Sequence, residues 1–96
     1  MLLLEWDEAK AESNRRKHGV SFDLAVLQVF DDPNILAEQD RIVDGEARWR
    51  SIGMAAGIVI LVVGHTVRGE GEDEIIRIIT ARKATRKERE QYAENC

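Results

Sequence analysis

The chain is poor in the residues that staple, interrupt or anchor a small protein. Its single cysteine is the last residue, Cys96. No internal disulfide or multi-cysteine metal site can therefore form, and a reducing cytosol is the expected compartment. One proline, Pro33, and the absence of Ser/Gly tracts exclude linkers and low-complexity segments. The longest apolar run, Ile58 to Val63, is six residues, whereas a membrane-crossing helix needs about twenty. Leu2-Leu3-Leu4 runs straight into Glu5, without the basic start and long apolar core of a secretion signal. A soluble, intracellular protein is expected. No internal repeat is visible.

What is there suits one domain spanning residues 1–96. The chain is 44% hydrophobic and 33% charged, too apolar for disorder, and a domain of this size buries roughly 60–65% of its unfolded surface. The net charge of −4 argues at first sight against a nucleic-acid partner, but its distribution is uneven. Residues 1–45 hold 5 basic and 10 acidic groups, and residues 46–96 hold 9 and 8. Between Ile75 and Arg89, Arg77, Arg82, Lys83, Arg86, Lys87 and Arg89 face only Glu88. A second basic cluster is Arg15-Arg16-Lys17-His18, and Arg48 and Arg50 flank Trp49. Arginine predominates, and its planar fork matches phosphate.

Hydrophobic periodicity orders the elements. Met1–Trp6 reads as a strand. Asp7 caps a solvated helix, Glu8–His18, which Gly19 stops; Trp6, Val20 and Phe22 are its anchors. Ser21 caps the main core helix, Phe22–Phe30, whose apolar stripe is Phe22, Val26, Val29 and Phe30, widened by Leu24 and Leu27. Asp31-Asp32-Pro33-Asn34 ends it. The period then becomes two. Ile35–Glu38 is a weak strand, Gln39–Gly45 a polar connection, Glu46–Met54 an alternating strand and Gly57–Thr66 a central one. Val67–Asp73, with Gly69 and Gly71, is a hairpin loop, and Glu74–Lys83 is the last strand. Thr85-Arg86-Lys87-Glu88 is a capping box opening a terminal helix. The order β-α-α-β-β-β-β-α predicts an α+β fold, an antiparallel sheet packed on one side by helices.

No Walker loop, dinucleotide fingerprint or nucleophile elbow is present. His18 and His65 lack Cys or carboxylate partners at ligand spacing, so neither a metal nor another cofactor is expected. Basic clusters at helix ends often do no more than complement the helix dipole. Arg77 and Arg82 differ, because each interrupts an apolar strand and must be ion-paired, at an edge, or facing a site. Strict alternation places them on opposite faces, so a bulge near Thr80 or a strand-end turn is needed to unite them. If the basic groups converge, the chemistry they suit is RNA cleavage by the neighbouring 2′-hydroxyl. A base, Glu46 or a histidine, would take the proton; Arg48, Arg77 and Arg82 would clamp the phosphate; Trp49 would stack on a nucleobase.

Four motifs, in order and at fitting spacing, give the chain a family likeness. They are Glu5-Trp6-Asp7-x-x-Lys10-x-x-x-Asn14-x-x-Lys17-His18-Gly19-Val20-Ser21-Phe22, Phe30-Asp31-Asp32-Pro33, Glu46-x-Arg48-Trp49-x-x-Ile52-Gly53, and Ile76-Arg77-Ile78-Ile79-Thr80-Ala81-Arg82-Lys83-Ala84-Thr85-x-x-Glu88. Together they resemble the BrnT toxins. The resemblance implies a RelE-like α+β fold and a ribonuclease that blocks translation as the toxin of a type II toxin–antitoxin system. It also implies a BrnA-like ribbon-helix-helix antitoxin, whose complex with the toxin acts on operator DNA. Glu46, Arg48, Arg77, Arg82 and His18 carry over as catalytic candidates, and Trp49, Lys83, Arg50, His65 and Lys17 as RNA-binding ones. The segment Arg68–Glu74 is longer and more acidic than the family pattern, and the chain as a whole is more acidic. A second reading is a non-catalytic partner-binding or co-repressor protein of the same fold; a third is RNA binding without cleavage.

Overall fold

The computed structural model describes residues 3–69 and 73–95, the side chains of Leu24 and Ala25 excepted. Expectations resting on Met1, Leu2, Gly71 and Cys96 lie outside these residues. The elements are β1 (Leu3–Glu5), α1 (Glu8–His18), α2 (a π-helical segment, Phe22–Val26, continued by the α-helical turn Leu27–Phe30), β2 (Leu36–Val43), β3 (Glu46–Ala55), β4 (Val59–Arg68), β5 (Ile75–Lys83) and α3 (Arg86–Asn95). The α+β order is the one the sequence predicts. The five strands form one sheet in the order β1-β5-β4-β3-β2. It is not wholly antiparallel: β1 joins the β5 edge in parallel, Leu3 opposite Ile75 and Glu5 opposite Arg77.

Three expected boundaries change. The core helix is not regular. Its wider first turns bury Phe22, Val26 and Val29 but leave Leu27 44% exposed, so Leu27 does not widen the apolar stripe. The weak strand and polar connection of residues 35–45 are one eight-residue strand, β2. It is a sheet edge, largely exposed, which removes the apolar alternation that marks a half-buried strand. Asp44 and Gly45 turn it into β3 at φ 50° and 79°, the backbone that an Asp-Gly hairpin turn requires. The central strand runs from Val59 to Arg68 rather than from Gly57 to Thr66, because residues 56–58 form the β3–β4 turn and Val67 and Arg68, expected in the loop, pair with Ile76 and Ile75.

The sheet has two unequal faces. Val20, Phe22, Val26 and Val29 pack on one face against Ala55, Leu61, Val63, Ile76, Ile78 and Ala81, with Trp6 set edge-on to Phe22 at 6.1 Å. Here α2 lies so close to β3 that a Cβ at Gly53 would stand 2.8 Å from Val29 Cγ1 and 3.1 Å from the Val29 carbonyl oxygen. Only glycine admits that approach. The other face is covered at one end alone, where Tyr92 and Ala84 pack on Ile52 and Val62. Asp32 ties this end together. Its carboxylate accepts the Met54 N–H at 2.8 Å, the Asn34 N–H at 2.9 Å and the Tyr92 hydroxyl at 2.5 Å. Burial pushes its pKa up, but these three donors outweigh burial and hold it below the ordinary value.

Helix α1 carries almost no apolar surface, so its attachment is polar. Asp7 caps its start, accepting the Ala9 N–H at 2.8 Å and the Lys10 N–H at 3.2 Å. Asn14, 6% exposed, anchors its middle. Its amide nitrogen donates to the Val20 carbonyl at 3.1 Å and the Ala81 carbonyl at 2.8 Å, and its oxygen accepts the Ala81 N–H at 3.0 Å. Ala81 lies beyond the short β1, so the Asn14 amide takes the place of a neighbouring strand there.

Candidate active site

The arginines line the second face, from Arg82 at the end that α3 covers to Arg48 and Arg77 towards the uncovered end. β3 alternates regularly, so Glu46, Arg48 and Arg50 share the side on which Ile52 is buried. β5 does not alternate regularly. Gly64 pairs with Thr80 and the next residue of β4, His65, pairs with Ile78. Ile79 is thus the extra residue of a bulge, close to the position that the sequence required. Ile76 and Ile78 before the bulge and Ala81 after it all point to the helix-covered core, so Arg77 and Arg82 both point to the open face. Gly64 lies between Arg50 and Thr80 in the register and carries no side chain. A Cβ there would meet Thr80 Cγ2 at 3.3 Å, so glycine leaves a trough between the two flanking strands.

The arginines of β3 and β5 on this face each have a carboxylate neighbour, and Arg41 of β2 lies opposite Arg48. Arg82 and Glu88 form two short bonds, Nη1 to Oε1 at 2.7 Å and Nη2 to Oε2 at 2.8 Å. Arg50 donates to Glu38 and, at 3.4 Å, to Glu88. Arg77 reaches Glu5 at 3.4 Å, and Arg68 pairs with the same carboxylate. Glu46 stands 3.9 Å from Arg48. The guanidinium groups nonetheless reach solvent: the side chains of Arg48, Arg50, Arg77 and Arg82 are 30–42% exposed. Among the described residues, the buried side-chain polar atoms without a hydrogen-bond partner are Arg48 Nε and Arg50 Nε.

Glu88 is the residue that composition left unassigned. It is 6% exposed and fixed by the capping box: its N–H donates to Thr85 Oγ1 at 3.2 Å and its Oε1 accepts the Thr85 N–H at 2.8 Å. The Arg82 bonds, against the opposing effect of burial, hold its pKa down to about 2. The same pair raises the pKa of Arg82. Glu88 is therefore an ionised acceptor at neutral pH, with no proton to give.

The remaining sequence candidates lie elsewhere. Trp49 and His65 pair across β3 and β4 on the helix side of the sheet. With Phe30, Ile35, Ser51 and Val67 they line a mostly apolar groove of about 400 Å³. His65 is 3% exposed, stacks edge-on to Phe30 at 5.2 Å and has Nε2 2.7 Å from the Ser51 hydroxyl. Burial lowers its pKa, opposed by the Thr66 carbonyl, so the ring is neutral near pH 7. Lys17 and His18 border a shallow pocket at the end of α1, with Asn14 and Ile79. Lys83, with Arg15, borders another beside Val20 and Leu61. No group of three or more His, Cys, Asp or Glu that could hold a metal occurs among the described residues.

Fold and face together describe a small α+β protein with four arginines on one face of its sheet. The chain belongs to the BrnT family: the family model described as the ribonuclease toxin, BrnT, of type II toxin–antitoxin systems matches residues 6–88. It is also similar to the 1.1 Å crystal structure of the Brucella abortus ribonuclease toxin BrnT. That likeness has a TM-score of 0.61 and 28% identity, and covers 90% of this chain and 99% of the Brucella chain. No curated protein matches the chain. Membership of a type II toxin family implies an antitoxin partner. No helix among the described residues is long and apolar enough to cross a membrane.

Proposed function

We propose that this chain is a metal-independent endoribonuclease toxin, acting in the cytoplasm, which cleaves RNA at the open sheet face and so blocks translation. A BrnA-like ribbon-helix-helix antitoxin neutralises it, and the complex of the two binds operator DNA through the antitoxin. The carrying observation is the convergence on one face of Arg48, Arg50, Arg77 and Arg82, whose side chains are 30–42% exposed.

In this mechanism an RNA phosphate sits over the Gly64 trough against Arg48, Arg50 and Arg82, and Arg77 receives a neighbouring phosphate. The 2′-oxygen attacks the phosphorus and the P–O5′ bond breaks. The products are a 2′,3′-cyclic phosphate and a 5′-hydroxyl, with no metal in the balance. Glu46, beside Arg48, accepts the 2′-hydroxyl proton, and solvent protonates the leaving oxygen. The arginines stabilise the charge that builds on the phosphoryl oxygens, a contribution worth roughly 10²–10³ in rate per donor in comparable sites. Trp49, Lys83, Lys17 and His18 are left to contact RNA outside the reacting centre, and His65, buried against Phe30 and Ser51, supports Trp49 from beneath rather than meeting RNA.

The carboxylate beside each of Arg48, Arg50, Arg77 and Arg82 favours a second reading, a non-catalytic protein of the same fold whose cations serve internal ion pairs. One assay separates the two. Purified protein is incubated with RNA in EDTA and the product ends are mapped. The ribonuclease proposal expects cyclic phosphate ends; intact RNA would favour the second reading. Induced expression without an antitoxin should arrest growth.

A further inference from the structure

We propose that Glu88 is a positioning residue of the phosphate site: its carboxylate holds Arg82 and Arg50 at a fixed separation, so that both meet one phosphate. This inference rests on the ribonuclease reading above. Glu88 is the only described side chain that bonds to two of the site's arginines, accepting both terminal nitrogens of Arg82 and one of Arg50. Its carboxylate cannot swing away with the solvent-exposed charges, because Oε1 accepts the Thr85 backbone N–H at 2.8 Å at the start of α3, a bond that does not use the Thr85 side chain. An arginine tied through its two terminal nitrogens keeps one orientation. The rigid end of a helix thereby sets the geometry of two long side chains on two different strands, β3 and β5.

The capping box itself supplies the means to separate this role from a structural one. Glutamine serves in a capping box as well as glutamate does. Glu88→Gln therefore keeps an acceptor for the Thr85 N–H but loses the charge and the two-oxygen grip on Arg82. Thr85→Ala removes the cap on α3 and leaves the Glu88–arginine bonds in place. Pure electrostatics and positioning also part ways. Removing a negative charge from a cationic site strengthens RNA binding, whereas a misplaced clamp slows the reaction, on the order of 10²-fold for an ångström of misplacement.

The experiment measures kcat and KM for RNA oligonucleotide cleavage by the full-length wild type, Glu88→Gln and Thr85→Ala, below the melting temperature of all three. The expected result is a kcat for Glu88→Gln lower by about 10–100-fold with KM unchanged or reduced, and a kcat for Thr85→Ala within about 2-fold of wild type. A wild-type or raised kcat in Glu88→Gln would overturn the proposal, the raised value marking Glu88 as an internal block. An equal loss in Thr85→Ala would also overturn it, by reducing Glu88 to a helix cap. An activity-free readout covers a wild type that cleaves nothing. In ¹⁵N spectra with an uncleavable 2′-deoxy oligonucleotide, the Arg82 Nε–Hε signal should be sharp and shifted in wild type and averaged in Glu88→Gln. Identical signals in the two proteins would sink the positioning role, whatever becomes of the ribonuclease reading.

Discussion

Arg77 and Arg82 point to the same face of the sheet across five residues of β5, because Ile79 bulges out of the pairing with β4. Arg77 lies beside the parallel strand β1 and its Glu5, whereas Arg82 lies under α3 and its Glu88. The two cations thus flank the trough from one strand. Arg77 is the peripheral one. Arg77→Ala should weaken RNA binding by about 3–10-fold and lower the salt dependence of the binding constant by close to one counterion. Fluorescence titrations at several salt concentrations check this, and a salt slope equal to wild type would remove Arg77 from the RNA path.

Filling the trough should block the site without unfolding the protein. Gly64 has no unusual backbone angle, and a Cβ there makes one tight contact, with Thr80 Cγ2 at 3.3 Å. Gly64→Val is expected to lose most RNA cleavage while its urea midpoint moves by no more than about 1–2 kcal/mol in stability. Gly53→Ala should behave in the opposite way, because its Cβ would meet Val29 at 2.8 Å. A stability loss of about 1–3 kcal/mol is expected there, with the remaining folded protein still active.

Acid should destabilise the fold through Glu88. Its folded pKa, about 2, lies below the ordinary 4.5, so its contribution is fully present above about pH 4.5 and disappears as pH falls through 2. For a group this buried the contribution is about 2–3 kcal/mol. Urea unfolding from pH 5 to 2 should show that limb in wild type and a flatter one in Glu88→Gln. His65 adds loss in the same direction. Burial lowers its pKa, so acid favours the unfolded chain, where the imidazole takes up a proton.

The strand-like role of Asn14 makes α1 dependent on one amide. Asn14→Ala leaves the Ala81 N–H and two carbonyl groups without partners. Unfolding in urea should report a loss of about 2–4 kcal/mol. A loss below 1 kcal/mol would mean that water replaces the amide.

Periodicity disclosed the elements whose residues face two different environments. The order of strands and helices, the Asp7 and Thr85–Glu88 caps and the core residues Phe22, Val26 and Val29 were legible for that reason. β2 was not, because an exposed edge strand has no apolar face to alternate, although its Asp44-Gly45 turn was a usable sign. The parallel docking of β1 leaves no periodic trace either. In the site, Arg77 and Arg82 stood out as cations in an apolar strand and Arg48 and Arg50 as the cations flanking Trp49, and the need for a bulge was deducible from the five-residue spacing. The tertiary roles of Glu88 and Asn14 were not legible, since one carboxylate in a capping box and one amide on a solvated helix look ordinary until tertiary partners meet them.

The central claim is that the arginine face is where RNA is cut. Single-turnover cleavage of an RNA oligonucleotide by Arg82→Ala tests it most directly, with Lys87→Ala on the exposed side of α3 as control. The expected result is a rate at least about 100-fold below wild type for Arg82→Ala and an unchanged rate for the control. Wild-type cleavage by Arg82→Ala would contradict the account.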